Sequence, residues 1–140
     1  MSENTKKILT ISGLVAAALF IAVMMARFEV VKRAKRQYLE GEKYLNFHKN
    51  PDVKKVHYDE KLKKGEITEP QHKMLMEDKA LKNAYVRYQT VIDLFTPPES
   101  KWVKKSRRRL AEIKPEYDAW VNKLKSEIEE ASNKPMKKNN

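Results

Sequence analysis

The sequence predicts an all-α protein in which a single N-terminal transmembrane helix continues into a small helical domain. Three observations support this fold class: a long uncharged apolar run near the N-terminus, apolar positions spaced by threes and fours after it, and no sustained alternation of apolar and polar residues. The chain has 140 residues, of which 41% are hydrophobic, enough for one domain with a modest core. We expect helices throughout and no sheet.

The apolar run covers residues 8–26, ILTISGLVAAALFIAVMMA, and its polar side chains are Thr10 and Ser12. As a helix it would be about 28 Å long, because each residue adds about 1.5 Å. The hydrocarbon core of a bilayer is about 30 Å thick. The run therefore predicts a transmembrane helix after a short N-terminal tail, residues 1–7.

A cleaved signal peptide is the alternative, since Lys6 and Lys7 would suit its basic start. The run is longer than the apolar part of a usual signal peptide. Residues 22–26 also lack a small-x-small triplet for cleavage. We therefore favour a retained signal anchor.

Flanking charges indicate the orientation of this helix. Two cations precede the run, Lys6 and Lys7, and five soon follow it: Arg27, Lys32, Arg33, Lys35 and Arg36. Lys and Arg close to a span are retained on the cytoplasmic side. This favours a cytoplasmic C-terminal domain, although a Lys pair before the run also begins anchors of the opposite orientation, so a periplasmic or lumenal domain stays open.

The same five cations are candidates for contact with lipid. The net charge is +11, and basic segments beside a bilayer are attracted to anionic headgroups. The simpler interpretation is that these residues only mark the topology and hold the helix end at the interface. We favour the simpler interpretation.

A periodic segment, residues 27–48, follows the apolar run and is predicted to continue the same helix outside the bilayer. Its apolar face includes three packing residues, Ala34, Tyr38 and Gly41. Small residues on that face allow another helix to approach closely. Asn50-Pro51 ends the segment, because the residue before proline is disfavoured in a helix.

The remaining residues predict a loop or insertion, 49–68, with room for a short helix around Tyr58 to Lys63 that Gly65 would end. They also predict a helical hairpin domain, 69–131, and a disordered tail, 132–140. The domain is expected to begin at a capping box formed by Thr68 and Gln71. Its first helix should run over residues 69–95 and stop at Thr96-Pro97-Pro98. The next two helices are predicted over 99–113 and 116–131, with a break at Lys114-Pro115.

Residues 84–97, AYVRYQTVIDLFTP, resemble the second helix of a tetratricopeptide repeat. Ala84, Tyr88 and Val91 stand where the repeat has its small, aromatic and branched residues, and Pro97 stands one place after the usual proline. The resemblance extends weakly over residues 70–128. It departs from the family in its long 49–68 segment, in the absence of the Trp and Gly pair of the first helix, and in offering at most two repeats. It implies a helix-pair scaffold that binds a protein partner, with no catalytic residues.

No pattern of residues predicts chemistry. The chain has no cysteine, and its three histidines are not spaced as metal ligands. It has no phosphate-binding glycine loop and no nucleophile motif. We expect a protein that is not an enzyme and has no cofactor, no metal and no small-molecule substrate.

The expected function is a membrane-anchored scaffold, adaptor or accessory subunit of a larger membrane assembly, with a protein partner or a second copy. The candidates for partner binding are aromatic and basic residues: Trp102, Lys105, Arg108, Arg109, Tyr117 and Trp120. The alternative is a polyanion-binding module at the membrane, for anionic lipid or nucleic acid. Nucleic acid is disfavoured, because Trp102 is the only aromatic residue close to the basic stretch 101–109.

Overall fold

A computed structural model of the protein describes residues 3–96 and 99–133. These residues form five helices and no strand: α1 (Glu3–Lys49), α2 (Pro51–Lys63), α3 (Glu69–Glu77), α4 (Ala80–Leu94) and α5 (Lys101–Asn133). The all-α class predicted from the sequence is confirmed for the described residues. Residues 134–140, most of the expected disordered tail, lie outside them.

Helix α1 is continuous from the apolar run into the rest of the domain. It already includes Glu3, so most of the expected tail 1–7 is helical. The large apolar side chains of its N-terminal part are exposed; Leu9, for example, is 65% exposed and Phe28 is 73% exposed. Near the N-terminus α1 is thus long and apolar enough to cross a membrane, and this part of it is covered by no other described helix.

The core is formed by the second half of α1 together with α4 and α5. The residue numbers of the contacting pairs increase along both α1 and α5, from Tyr38 with Trp102 to His48 with Glu116. These two helices therefore run parallel. Helix α4 ends just before α5 begins, and Tyr85 near its start stacks on Tyr117. It therefore runs antiparallel to both, and its C-terminal end points towards the apolar half of α1.

The core side chains come from positions spaced by threes and fours on these three helices. They are Ala34, Tyr38, Leu45, Leu81, Ala84, Tyr88, Val91, Val103 and Ile113. Helices α2 and α3 cover one side of α4's start through a smaller cluster, Phe47, Tyr58 and Ala80.

The loop expected at 49–68 is wrong for residues 51–57, because α2 begins at Pro51 and already includes the part at 58–63 where a short helix was expected. Pro51 suits the first turn of a helix, and Tyr58 is buried against Phe47. The helix ends at Lys63 and is followed by Gly65, whose φ of +70° lies in the left-handed region that favours glycine. The sequence indicates this helix only weakly, because Val53 and Val56 in its first half do not mark a buried face. Both are exposed in the structure.

The single helix expected over 69–95 is interrupted. Asp78 adopts an extended conformation, with ψ 137°, between α3 and α4. The buried Lys54 ammonium donates to the carbonyl oxygens of Met76 (2.8 Å) and Asp78 (2.7 Å), which a continuous helix would have used itself. The predicted start is present, since the Thr68 N–H donates to Gln71 Oε1 at 2.9 Å.

The break expected at Lys114-Pro115 is absent, and α5 passes through Pro115. Packing on both sides of the proline explains this difference. Ile113 is buried before it, and Tyr117 stacks on Tyr85 after it, with ring centroids 3.9 Å apart. Tertiary contacts therefore outweigh the lost backbone hydrogen bond.

Candidate interaction surface

The packing residues predicted from the sequence lie where the three core helices meet. Ala34, Ala84, Tyr88 and Val91 are fully buried, and Tyr38 is 7% exposed. Gly41 lies against the Tyr88 ring, so closely that a Cβ atom at Gly41 would be 2.6 Å from Tyr88 Cε1. The position of Pro97, the last residue of the repeat-like pattern, is outside the described residues.

A polar network joins the three helices beside this contact. The Glu42 carboxylate of α1 accepts hydrogen bonds from the Tyr88 hydroxyl (2.7 Å) and from Arg109 Nε (2.9 Å) and Nη2 (3.1 Å). Arg109 also donates to Glu112 at 2.8 Å. Arg109, expected from the sequence to bind a partner, instead joins α5 to α1.

Electrostatics in the network favours an ionised Glu42. Burial alone would raise the pKa of Glu42, but hydrogen bonds from Tyr88, Arg109 and Tyr38 outweigh it and hold the pKa below its usual value. Burial and the neighbouring carboxylate raise the pKa of Tyr88, which stays a hydrogen-bond donor. The hydrogen bonds to Glu42 and Glu112 raise the pKa of Arg109. This network joins α1 to α4 and α5.

Trp102 is half-buried, and its ring centroid lies 5.5 Å from that of Tyr38. Three lysines surround it: Lys35 Nζ is 5.7 Å, Lys101 Nζ 5.0 Å and Lys105 Nζ 5.3 Å from the ring centroid. Lys35 comes from α1 and the other two from α5. We call these four residues the Trp102 cluster.

The other basic residues predicted from the sequence lie on the surface. Arg27, Lys32, Arg33 and Arg36 are exposed on α1, and Arg33 pairs with Glu29 at 3.2 Å. Arg108 is exposed and lies 3.8 Å from Glu112. Lys35 and Lys105 of the Trp102 cluster are exposed as well, and they differ from these residues in lying over the Trp102 ring.

Tyr117 and Trp120 lie at the other end of the core. Their ring centroids are 5.7 Å apart, and Tyr117 also stacks on Tyr85. Beyond them α5 leaves the core, and every side chain over 122–132 is exposed. Leu124 at 40% and Ile128 at 60% exposure continue the same helix face as Tyr117 and Val121. We call Tyr117, Val121, Leu124 and Ile128 the distal stripe.

Sequence analysis missed the importance of Glu42, and on the last helix it named Tyr117 and Trp120 as candidates for partner binding but not Leu124 and Ile128. Glu42 stands four residues after Tyr38 and three before Leu45, so its charge lies on the apolar face of α1. That charge was the sequence signal that could have identified it.

No protein-family model, curated protein or solved structure matches the chain. Within the described residues, no group of three His, Asp or Glu side chains is placed to hold a metal ion. His48 and His72 instead contact Glu116 and Asp59, each at 2.7 Å.

Proposed function

We propose that the protein is a membrane-anchored helical scaffold, an adaptor or accessory subunit that acts by protein–protein interaction. The observation that carries this proposal is the distal stripe. It is an apolar face on a helix that is fixed in the core at one end and extends into solvent at the other. The tetratricopeptide-like pairing of α1 with α4 serves as the rigid base.

Anchoring is supported by the apolar half of α1. Large apolar side chains such as Leu14 (67% exposed) and Phe20 (67%) have no covering helix among the described residues. A water-soluble protein rarely exposes so continuous an apolar surface. A bilayer would remove this surface from water, and the flanking cations would hold its end at the interface.

The spacing of the distal stripe indicates the kind of partner. Its residues follow one another at intervals of four, three and four, which produces a narrow seam along one side of a helix. Such a seam is complementary to the apolar face of another amphipathic helix. Trp120, next to the seam, adds the aromatic contact area that is common at the centre of interfaces. We therefore expect the partner to present a helix to this end of α5.

Photocrosslinking in native membranes tests this function. A photoreactive amino acid at Leu124 or Ile128 should produce a crosslinked product of discrete mass. The matched control is Ser126, which is exposed on the opposite side of the same two turns and should produce none. Ile128→Asp should reduce crosslinking from Leu124 by at least about tenfold, because a charge in an apolar seam is costly to bury.

The mass of the product identifies the partner class. Twice the mass of the chain means a second copy, and any other discrete mass means a different protein. Equal crosslinking from Ser126 and Leu124, or a product unaffected by Ile128→Asp, would refute the distal stripe as the interface. Extraction of the protein by alkaline carbonate would refute the anchor.

A further inference from the structure

The Trp102 cluster brings together cations that the sequence separates by more than sixty residues. The Trp102 ring attracts the three ammonium groups, and their like charges repel one another, so an anion beside them would be favoured. None of the three lysines forms an ion pair within the described ranges. Glu99, the nearest carboxylate along the chain to Lys101, is instead paired with Arg107 at 3.0 Å.

The register of the helices places this cluster towards the membrane side of the domain. Lys35 stands nine residues after the last residue of the apolar run, about 14 Å along α1. Helix α5 begins beside it and runs parallel to α1. Side chains lean towards the N-terminus of their helix, so the stems of all three lysines lean towards the bilayer. A lysine stem spans several ångströms more, which brings the ammonium groups within reach of the headgroup layer.

An apolar side chain at the same end adds to this surface. Helix α4 points towards the membrane side, and Leu94 in its last turn is 71% exposed. Basic residues together with an exposed apolar residue are typical of surfaces that lie in the interface of a bilayer. Nucleic acid fits this surface less well, because Trp102 is half-buried and is the only aromatic residue close to the basic stretch 101–109.

We propose that Lys35, Lys101 and Lys105 bind the phosphate groups of anionic membrane lipids, with Trp102 between them as an interfacial anchor. This inference rests on the proposed anchoring of α1 in a membrane. The contact would fix the tilt of the domain relative to the bilayer and thereby direct the distal stripe away from the surface. The other four basic residues of this segment, Arg27, Lys32, Arg33 and Arg36, contribute general attraction, whereas the Trp102 cluster provides the site.

Fluorescence of Trp102 in the full chain tests the proposal. The chain has two tryptophans, so Trp120→Phe leaves Trp102 as the only one. The protein is reconstituted in phosphatidylcholine vesicles with or without about 30% phosphatidylserine. We expect Trp102 to be markedly less quenched by acrylamide in the anionic vesicles. Salt at about 1 M, where the screening length falls to about 3 Å, should abolish the difference.

Two triple variants separate a site from general attraction. Lys35→Gln, Lys101→Gln and Lys105→Gln together should weaken the docking equilibrium about a hundredfold, at roughly fivefold per cation, and remove the effect of anionic lipid. The matched control changes three exposed lysines of the far end, Lys73→Gln, Lys82→Gln and Lys125→Gln. It removes the same charge and should keep the effect.

Each other outcome overturns the proposal. Equal quenching in both vesicles means that Trp102 does not meet the headgroups. Equal loss in both triple variants means that net charge alone acts. The same protection produced by soluble inorganic phosphate in neutral vesicles means that the ligand is a free phosphate. Alkaline carbonate extraction of the same samples separates the failures: retained protein with unresponsive Trp102 refutes only this inference, whereas extracted protein refutes the anchor as well.

Discussion

Gly41 is the residue of α1 against which the Tyr88 ring of α4 packs. Its Cβ would be 2.6 Å from a ring atom of Tyr88, which is fully buried and hydrogen-bonded to Glu42. The ring is 0% exposed, so it cannot move aside into solvent. Gly41→Ala should therefore reduce the free energy of unfolding by about 1–2 kcal/mol, although alanine favours a helix.

Chemical denaturation of the protein in micelles, followed by circular dichroism, measures this loss. Gly13→Ala is the matched control, since a Cβ there meets nothing within 4 Å. It should leave stability unchanged or slightly increased. A stabilising effect of Gly41→Ala would mean that α1 and α4 are further apart than described.

The Glu42 carboxylate should make stability depend on pH. Its pKa in the folded protein is below the ordinary value of 4.5. The stabilisation is therefore fully present above that value and is lost as the pH falls through the lower folded pKa. Glu42→Gln should cost about 1–2 kcal/mol at neutral pH, because Arg109 keeps its bond to Glu112.

Denaturation curves between about pH 3 and pH 7 test this dependence. The wild-type protein should lose stability at the acid end more steeply than Glu42→Gln. Glu40→Gln, at an exposed pair with Lys43 on the same helix, is the control and should change stability by less than about 0.5 kcal/mol. Parallel curves for the wild type and Glu42→Gln would contradict the network.

At the scale of elements, the sequence predicted the features that depend on residues close together in the chain. The capping pair Thr68 and Gln71 marks the start of α3, and the apolar stripe shows that α1 continues past the apolar run. The predicted helix ends were wrong where contacts between residues far apart in the chain determine the structure. Lys54 ends α3 from 22 residues away, and Tyr85 packs on Tyr117 of α5 just after Pro115. The bond between Glu42 and Arg109 spans 67 residues and has no local signal.

Lys54 is the element-scale feature that is simplest to test. It is 8% exposed, and burial lowers the pKa of its ammonium, yet it donates to two carbonyl oxygens at the end of α3. Lys54→Met keeps the length of the side chain and leaves both carbonyls without this donor. We expect a loss of about 1–3 kcal/mol and faster hydrogen exchange in α3. Lys55→Met, at the exposed neighbouring position, should change neither.

The two ends of the whole molecule differ, because α1 and α5 run parallel. The proposed lipid contact and the distal stripe lie at opposite ends of the same core, so the core would act as a spacer between membrane and partner. A spacer holds membrane and partner at a fixed distance only if its helices do not move against each other. The contacts of Trp102 with Tyr38 and of Glu116 with His48 hold α5 against α1 at both ends of the core. This arrangement makes the sidedness of the anchor decisive for the choice of partner.

The larger number of cations after the apolar run predicts that the domain is cytoplasmic. The natural chain has no cysteine, so Ser132→Cys introduces a single thiol at the end of α5. A membrane-impermeant maleimide should label it only after the membrane is opened, whereas Asn4→Cys should react in intact cells. The reverse pattern would place the domain on the periplasmic or lumenal side. The lysine pair before the run would then outweigh the five cations after it, and the distal stripe would be available only to partners on that side.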